Sequence, residues 1–288
     1  LDLPTVGDWV AYLPGDLCIV QQVLSRSTQL VRKGAGRCSG GQLLAANVDV
    51  VFIVTSANDE FSLRRLERYL TTVHAAGARA KVVVNKIDLP GSDQIVAQAR
   101  TVAPDALALS ATSGAQLRGF DAHLEPGATH VFVGSSGVGK STLINHALAT
   151  DAMHTNALRG DDTGQHTTAH RELLVTPSGA IVIDTPGLRE LGVWESEGLH
   201  ETFEDVAALL GRCRFRDCGH GSEPGCAIGE AIDQGHLDPD RWKAYGKLER
   251  EIQRQSGRVA SWQERKKSRA FTKRVRRSTL EQKRRRQY

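Results

Sequence analysis

Gly134-Ser135-Ser136-Gly137-Val138-Gly139-Lys140-Ser141 is the stretch from which the rest of this chain becomes readable. The apolar run His130-Val131-Phe132-Val133 leads straight into it, and Thr142-Leu143-Ile144-Asn145 opens a helix behind it. It is the pattern G-x-x-x-x-G-K-[ST], set between a predicted strand and a predicted helix. The glycines permit a tight turn whose amides face inward at a phosphate, and the helix N-terminus adds the positive end of its dipole. Lys140 is expected to reach the β and γ phosphates, and the Ser141 hydroxyl to ligate Mg²⁺. An ordinary glycine-rich turn into a helix needs neither a lysine nor a hydroxyl at these two places.

Downstream, Ile181-Val182-Ile183 delivers Asp184-Thr185-Pro186-Gly187. A carboxylate at the end of an apolar strand beside a phosphate loop is placed to hold Mg²⁺, commonly through water, and the Gly187 amide to meet a γ-phosphate. Between the two motifs, Gly164-Gln165-His166-Thr167-Thr168 offers threonine hydroxyls that can close over Mg²⁺ when a γ-phosphate is present, with Thr168 as the expected ligand. The plainer alternative for this stretch is a mobile surface loop. Upstream, Asn85-Lys86-Ile87-Asp88 follows the apolar Lys81–Val84. A carboxylate such as Asp88 accepts from both the ring N–H and the exocyclic amine of guanine, a donor pair that adenine lacks there. Lys86 can lay its stem over the base, and Asn85 can brace neighbouring loops. Ser110-Ala111, after Leu107-Ala108-Leu109, is expected to turn its amides to the guanine carbonyl oxygen.

Base-reading motifs normally follow the phosphate motifs in GTPases, and here they precede them, so the chain is read as circularly permuted. The texture agrees: the β-branched run Val48–Val54, helical spacing over Leu63–Ala76, then further strands and helices in alternation predict a parallel sheet with helices on both faces. Residues 1–46 carry short alternating apolar runs between turn residues, which predicts a small antiparallel β unit. Gly192–Leu210 is expected to return to helix. Near the other end, Cys213-x4-Cys218-x-His220-x5-Cys226 supplies three thiolates and an imidazole, a closed set that suits one structural tetrahedral Zn²⁺; reduced structural cysteines are the alternative. Cys18 and Cys38 stand apart from this cluster and are read as structural.

Taken together, the base-reading motif, Ser110-Ala111, the phosphate loop through Thr142, Gln165–Thr168, Asp184–Gly187 and the Cys/His cluster resemble the RsgA (YjeQ) family of ribosome-associated GTPases over nearly the whole chain. The resemblance implies three parts: an N-terminal OB-like β-barrel over 1–46, a permuted P-loop GTPase domain over 47–210, and a zinc-binding helical domain with a basic helix or tail over 211–288. It implies GTP and GDP as ligands, a role in late maturation of the bacterial small ribosomal subunit, and contact with that subunit's rRNA by a cytoplasmic, monomeric protein. Two departures stand out. The stretch before Gly7-Asp8-Trp9 is short for a five-stranded barrel, and Ala169 stands where the family pattern often continues with a third threonine.

Charge supports a polyanionic partner. Of the 37 Lys and Arg, 12 lie in residues 265–288 against one acid, so a body of net −7 carries a tail of +11. Clustered cations release counterions from nucleic acid or gather at anionic lipid, and a merely solvated helix is the alternative. Arg212, Arg214 and Arg216 beside the cysteines extend the basic surface. No sustained apolar face accompanies the tail, so membrane binding is not expected. The composition, 40% hydrophobic and 24% charged, excludes collagenous, wholly disordered and membrane-spanning classes, and no apolar run approaches about 18 residues. The start, Leu1-Asp2-Leu3-Pro4, does not resemble a secretory signal. Leu188 occupies the place where many GTPases carry a water-orienting glutamine, which predicts slow intrinsic turnover and stimulation by a partner. His166 is the first candidate to position the water, with Gln165 the second. The rival readings are a GTP-regulated RNA-binding switch with incidental hydrolysis, and an ATP-using kinase or remodeller.

Overall fold

The computed structural model describes residues 3–15, 17–33, 41–149, 172–184, 197–221 and 223–254. Its centre is a six-stranded sheet built from β5 (Val50–Ser56), β6 (Arg79–Asn85), β7 (Leu107–Ala108), β8 (Thr129–Val133), β9 (Glu172–Val175) and β10 (Ile181–Asp184). The order across the sheet is β7-β6-β5-β8-β10-β9; every pair is parallel except the antiparallel edge pair β9–β10. The continuous apolar run of β5 is explained by burial on both faces. Val51 and Ile53 pack with α1 (Leu63–Ala75) and α2 (Ser92–Arg100) through Leu66, Tyr69, Val73 and Val96. Val50, Phe52 and Val54 pack on the other face with α3 (Leu117–Asp121) and α4 (Lys140–Leu148) through Phe120, Leu143 and Ile144. The expectation of helices on both faces of a parallel sheet therefore holds, and each buried large side chain stabilises the sheet by about 1.5–3 kcal/mol.

The chain enters this sheet in the middle. From β5 it builds outward through β6 and β7, then returns to the other side of β5 for β8, β10 and β9. The carboxyl ends of β5, β6, β7, β8 and β10 share one edge, and the reversal of order between β5 and β8 opens the crevice where ligands bind in such sheets.

Residues before β5 form two separate two-stranded antiparallel sheets: β1 (Val10–Leu13) with β2 (Ile19–Val23), and β3 (Gln29–Lys33) with β4 (Gly41–Ala46). The antiparallel character matches the sequence reading; among the described residues the two hairpins share no ladder that closes a barrel. β3 and β4 join the main core through Leu30, Leu44 and Ala45, whereas β1–β2 leaves Trp9, Tyr12, Leu13 and Ile19 exposed. Asp8 clamps this region: Arg26 reaches its two oxygens at 2.7 and 2.8 Å, and Asp8 also accepts from Thr5 N–H. The Arg26 hydrogen bonds hold its carboxyl below the usual range. The stabilisation is therefore complete above the unfolded value near 3.9 and fades as pH falls through the lower folded value. Asp8→Asn is expected to cost about 2 kcal/mol at neutral pH and to flatten the acid limb of the stability curve. Denaturant titrations at pH 7 and pH 3 check both.

After β10 the described chain resumes in α5 (Glu197–Thr202) and α6 (Glu204–Ala207), which agrees with the expected return to helix. These helices pack with the C-terminal region: Leu199, Phe203 and Val206 share a cluster with Ile228 of α7 (Ala227–Asp233) and with Tyr245 and Leu248 of the helical residues 239–254. The seam with α1 is polar and buried. Arg241 binds Glu67, whose side chain is only 1% exposed, at 3.0 Å; it also binds Asp205 and the Thr202 carbonyl and lies 4.6 Å over the Phe203 ring. Arg68–Glu251 at 2.8 Å and His74–Thr202 at 3.1 Å extend the same seam.

Candidate nucleotide site and metal centre

Val133 hands over to the phosphate loop at the edge where Ser56 and Asn85 also end. Two of its glycines are sterically required. Gly134 has φ +144° and passes so close to β5 that a Cβ would lie 2.1 Å from the Val54 carbonyl oxygen. Gly139 has φ +100°, and a Cβ there would lie 2.1 Å from Asn85 Nδ2. Val138 is buried among Leu109, Phe120 and Leu143, which anchors the loop, while Ser136 and Gly137 form its exposed rim. Lys140 opens α4 and folds its ammonium back over the loop, donating to the Gly134 and Ser135 carbonyls at 2.9 and 2.5 Å. Ser141 and Thr142 follow in the first turn, with Ser141 exposed.

Asn85 joins the base-reading motif to this loop. It is 3% exposed, its Nδ2 donates to the Val138 carbonyl at 2.8 Å, and its Oδ1 accepts from Ala111 N–H at 2.9 Å. One buried amide thus holds together segments that lie 26 and 53 residues away in sequence. Lys86 takes a left-handed conformation at φ +65°, and Asp88 is exposed just beyond it. The bracing expected of Asn85 is what the geometry has. Ser110 and Ala111 lie on the next loop. Their amides donate within the protein, Ser110 N–H to Ala115 O at 3.1 Å and Ala111 N–H to Asn85 Oδ1. A short loop closed on itself satisfies its own buried donors first.

Asp184 ends β10 beside β8 on the same edge, and its side chain lies outside the described residues. His166, Thr167, Thr168 and Gly187 also lie outside them, as do Gln165, Leu188, Cys38 and the basic segment 265–288. Cys18 is exposed. One neighbour of the phosphate loop escaped the sequence reading: Arg65, on the first turn of α1, donates to Ser135 Oγ at 2.5 Å. No local motif marks it, because the contact spans 70 residues.

The second site is the cysteine cluster. The Sγ atoms of Cys213, Cys218 and Cys226 and a ring nitrogen of His220 all lie within 4.8 Å of one another. His220 Nδ1 stands 3.4 Å from Cys213 Sγ and 3.7 Å from Cys226 Sγ. Tetrahedral zinc with its usual Zn–S and Zn–N lengths sets such ligand atoms about 3.6 Å apart, so the donor set fits in both chemistry and spacing. Local structure holds it there. Cys226 caps α7, its sulfur accepting from Gly229 N–H, and Glu223 accepts from the Gly219 and Gly221 amides at 3.1 and 2.7 Å. The Trp242 ring packs edge-on against His220 at 5.7 Å. The His220 main-chain hydrogen bond favours a Cys218 thiolate, yet desolvation and the neighbouring Cys213 and Cys226 push the Cys218 thiol up to about 11. A dication held by the three sulfurs and His220 would let these crowded thiols ionise together.

A phosphate loop on a central parallel strand, with the base-reading loop tied to it from earlier in the chain, defines a circularly permuted GTPase. The model of the family described as RsgA GTPase matches residues 23–194, and the chain belongs to that family of GTP-hydrolysing enzymes. Among curated relatives, the small ribosomal subunit biogenesis GTPase RsgA of Opitutus terrae is 46% identical over 269 residues, covering 86% of this chain and 72% of its own. Among solved structures, YjeQ from Thermotoga maritima superposes with a TM-score of 0.64 at 28% identity, covering 87% of this chain and 84% of that one. YloQ, titled a circularly permuted GTPase, gives 0.62 at 27% identity, covering 88% and 82%.

Proposed function

We propose that this GTPase acts on the small ribosomal subunit late in its maturation, hydrolysing GTP on contact and using its nucleotide state to time its own release. Relatives that are 42–46% identical over most of the chain carry the name small ribosomal subunit biogenesis GTPase, which supports the assignment. The observation that supports the nucleotide part is the Asn85 bridge, which ties the base-reading motif to the phosphate loop. In this reading Asp88 accepts from guanine, Lys86 covers the base, and Asn85, Ser110 and Ala111 frame the pocket. Gly134, Ser135, Ser136, Gly137, Val138 and Gly139 wrap the phosphates with Thr142 behind them, Lys140 neutralises them, and the Gly187 amide meets the γ-phosphate. Ser141, Thr168 and Asp184 would hold Mg²⁺, which would supply positive charge against the β and γ phosphates. Thr167 and Thr168 close over the γ-phosphate, and His166 orients the water, since Leu188 has no group to do so.

The partner in this reading is rRNA, met by the basic C-terminal part and by an OB-like N-terminal part, with a monomer acting in the cytoplasm. No helix among the described residues is long and apolar enough to cross a membrane. GTPase rates with and without purified small subunits, taken across a salt series, test the assignment. Stimulation that fades with rising salt is expected; a rate indifferent to subunits rejects it and leaves the RNA-binding switch with incidental hydrolysis. For the cysteine cluster, chelation is expected to release one equivalent of Zn²⁺ and to lower the thermal midpoint by about 5 °C or more. A colorimetric metal assay beside a melting curve reads both.

A further inference from the structure

Between two zinc-type ligands, Cys213 and Cys218, the chain makes a tight loop that presents Arg214, Phe215 and Arg216 to solvent, with Arg212 just before it. Backbone bonds hold the loop: Arg214 N–H donates to Gly225 O, beyond it, at 2.9 Å, and Cys218 N–H to Phe215 O, within it, at 3.4 Å. Phe215 nevertheless leaves 49% of its surface in water, outside the C-terminal core. The Arg214 guanidinium carbon lies 5.6 Å from its ring centroid. Asp217 is exposed on the same loop, and Glu223 is turned onto the Gly219 and Gly221 amides.

A single ring in a cationic rim is poorly suited to a lipid surface, which asks for a broad apolar face, and to a protein hot spot, which asks for surrounding apolar packing. It matches what unpaired RNA offers: a flat base to stack on the ring and phosphates on either side of it. We propose that Phe215 is a stacking platform for an unpaired RNA base, with Arg212, Arg214 and Arg216 taking the flanking phosphates. The Arg214 guanidinium widens the platform by lying against the same ring. The proposal rests on the reading of rRNA as partner and adds where and how one contact is made.

Three variants test it: Phe215→Leu keeps apolar bulk without a ring, Phe215→Trp keeps a ring, and Arg214→Gln removes one charge. The probes are a single-stranded oligoribonucleotide containing 2-aminopurine and purified small subunits. Phe215→Leu is expected to bind the oligoribonucleotide about 5- to 100-fold more weakly, to lose the 2-aminopurine quenching and to keep the wild-type salt slope. Phe215→Trp is expected to bind as wild type, and Arg214→Gln to lower the salt slope by about one. Zinc content and subunit-free GTPase rate are expected to be unchanged in all three, which removes misfolding as an explanation. Equal binding by wild type and Phe215→Leu overturns the platform, and so does a wild type that binds neither probe. A loss confined to subunits, with oligoribonucleotide binding intact, overturns it in favour of a ribosomal protein. Ring-dependent quenching by a wild type that ignores subunits supports the platform and rejects the ribosomal assignment instead.

Discussion

Asp88→Asn is expected to lose GTP and to gain a preference for xanthosine triphosphate. In the proposed pocket the carboxylate accepts two hydrogen bonds from guanine; an asparagine amide offers one acceptor and one donor, so one guanine N–H loses its partner and meets another N–H. A hydrogen bond to a charged group contributes about 1.5–3 kcal/mol, so a weakening of roughly 10- to 10²-fold follows for GTP. Xanthine carries a carbonyl where guanine carries its exocyclic amine, and the asparagine N–H meets it. Asp88 is exposed and Asn85 makes the bridging contacts, so thermal stability is expected to hold while base preference inverts. Competition between GTP, XTP and ATP for a fluorescent nucleotide reads the result. Unchanged preference would remove Asp88 from the pocket.

Gly139→Ala is expected to abolish nucleotide binding, whereas Gly137→Ala, two residues earlier, is expected to be mild. Both glycines have positive φ, +100° and +74°, so each substitution carries a backbone penalty of about 1 kcal/mol. They differ in their surroundings. A Cβ at Gly137 meets nothing within 4 Å, while one at Gly139 sits 2.1 Å from Asn85 Nδ2. Relieving that overlap breaks the Asn85 bond to Val138 and shifts the Asn85 bond to Ala111, leaving buried polar groups unpaired at about 1–3 kcal/mol each. The phosphate end and the base end are damaged together, and an affinity loss above about 10³-fold is expected from these terms combined. Titration calorimetry with GDP on both variants separates a steric cause from a general intolerance of the loop.

The parts that could be read from sequence are those written in local patterns. The phosphate loop between its strand and helix, the two-face burial of β5 and the Cys/His spacing all depend on residues near one another in the chain. The bracing by Asn85 was accessible because the motif's chemistry leaves that side chain nothing else to do. What stayed hidden are partnerships set by the fold. Glu67 and Arg241 lie 174 residues apart, and neither sits in a pattern that asks for the other. Arg65 reaches Ser135 only because β5 and β8 are neighbours. The hydrogen bonds that tie Ser110 to Ala115 and Ala111 to Asn85 are likewise absent from any local pattern. The split of the N-terminal residues into two hairpins depends on which strands find partners, and short alternating runs do not encode that.

Because the sheet is entered at its middle strand, a chain emerging during translation completes β5, β6 and β7 while one edge of Val50–Ser56 still has no neighbour. The strand is apolar from Val50 to Val54, and its second edge waits until Thr129–Val133 has been made. Through that interval the nascent half-sheet has no phosphate loop either, so cellular nucleotide cannot stabilise it by mass action. Early synthesis of the base-reading half therefore exposes a sticky strand edge to other chains, a hazard that protein quality control must cover until β8 arrives.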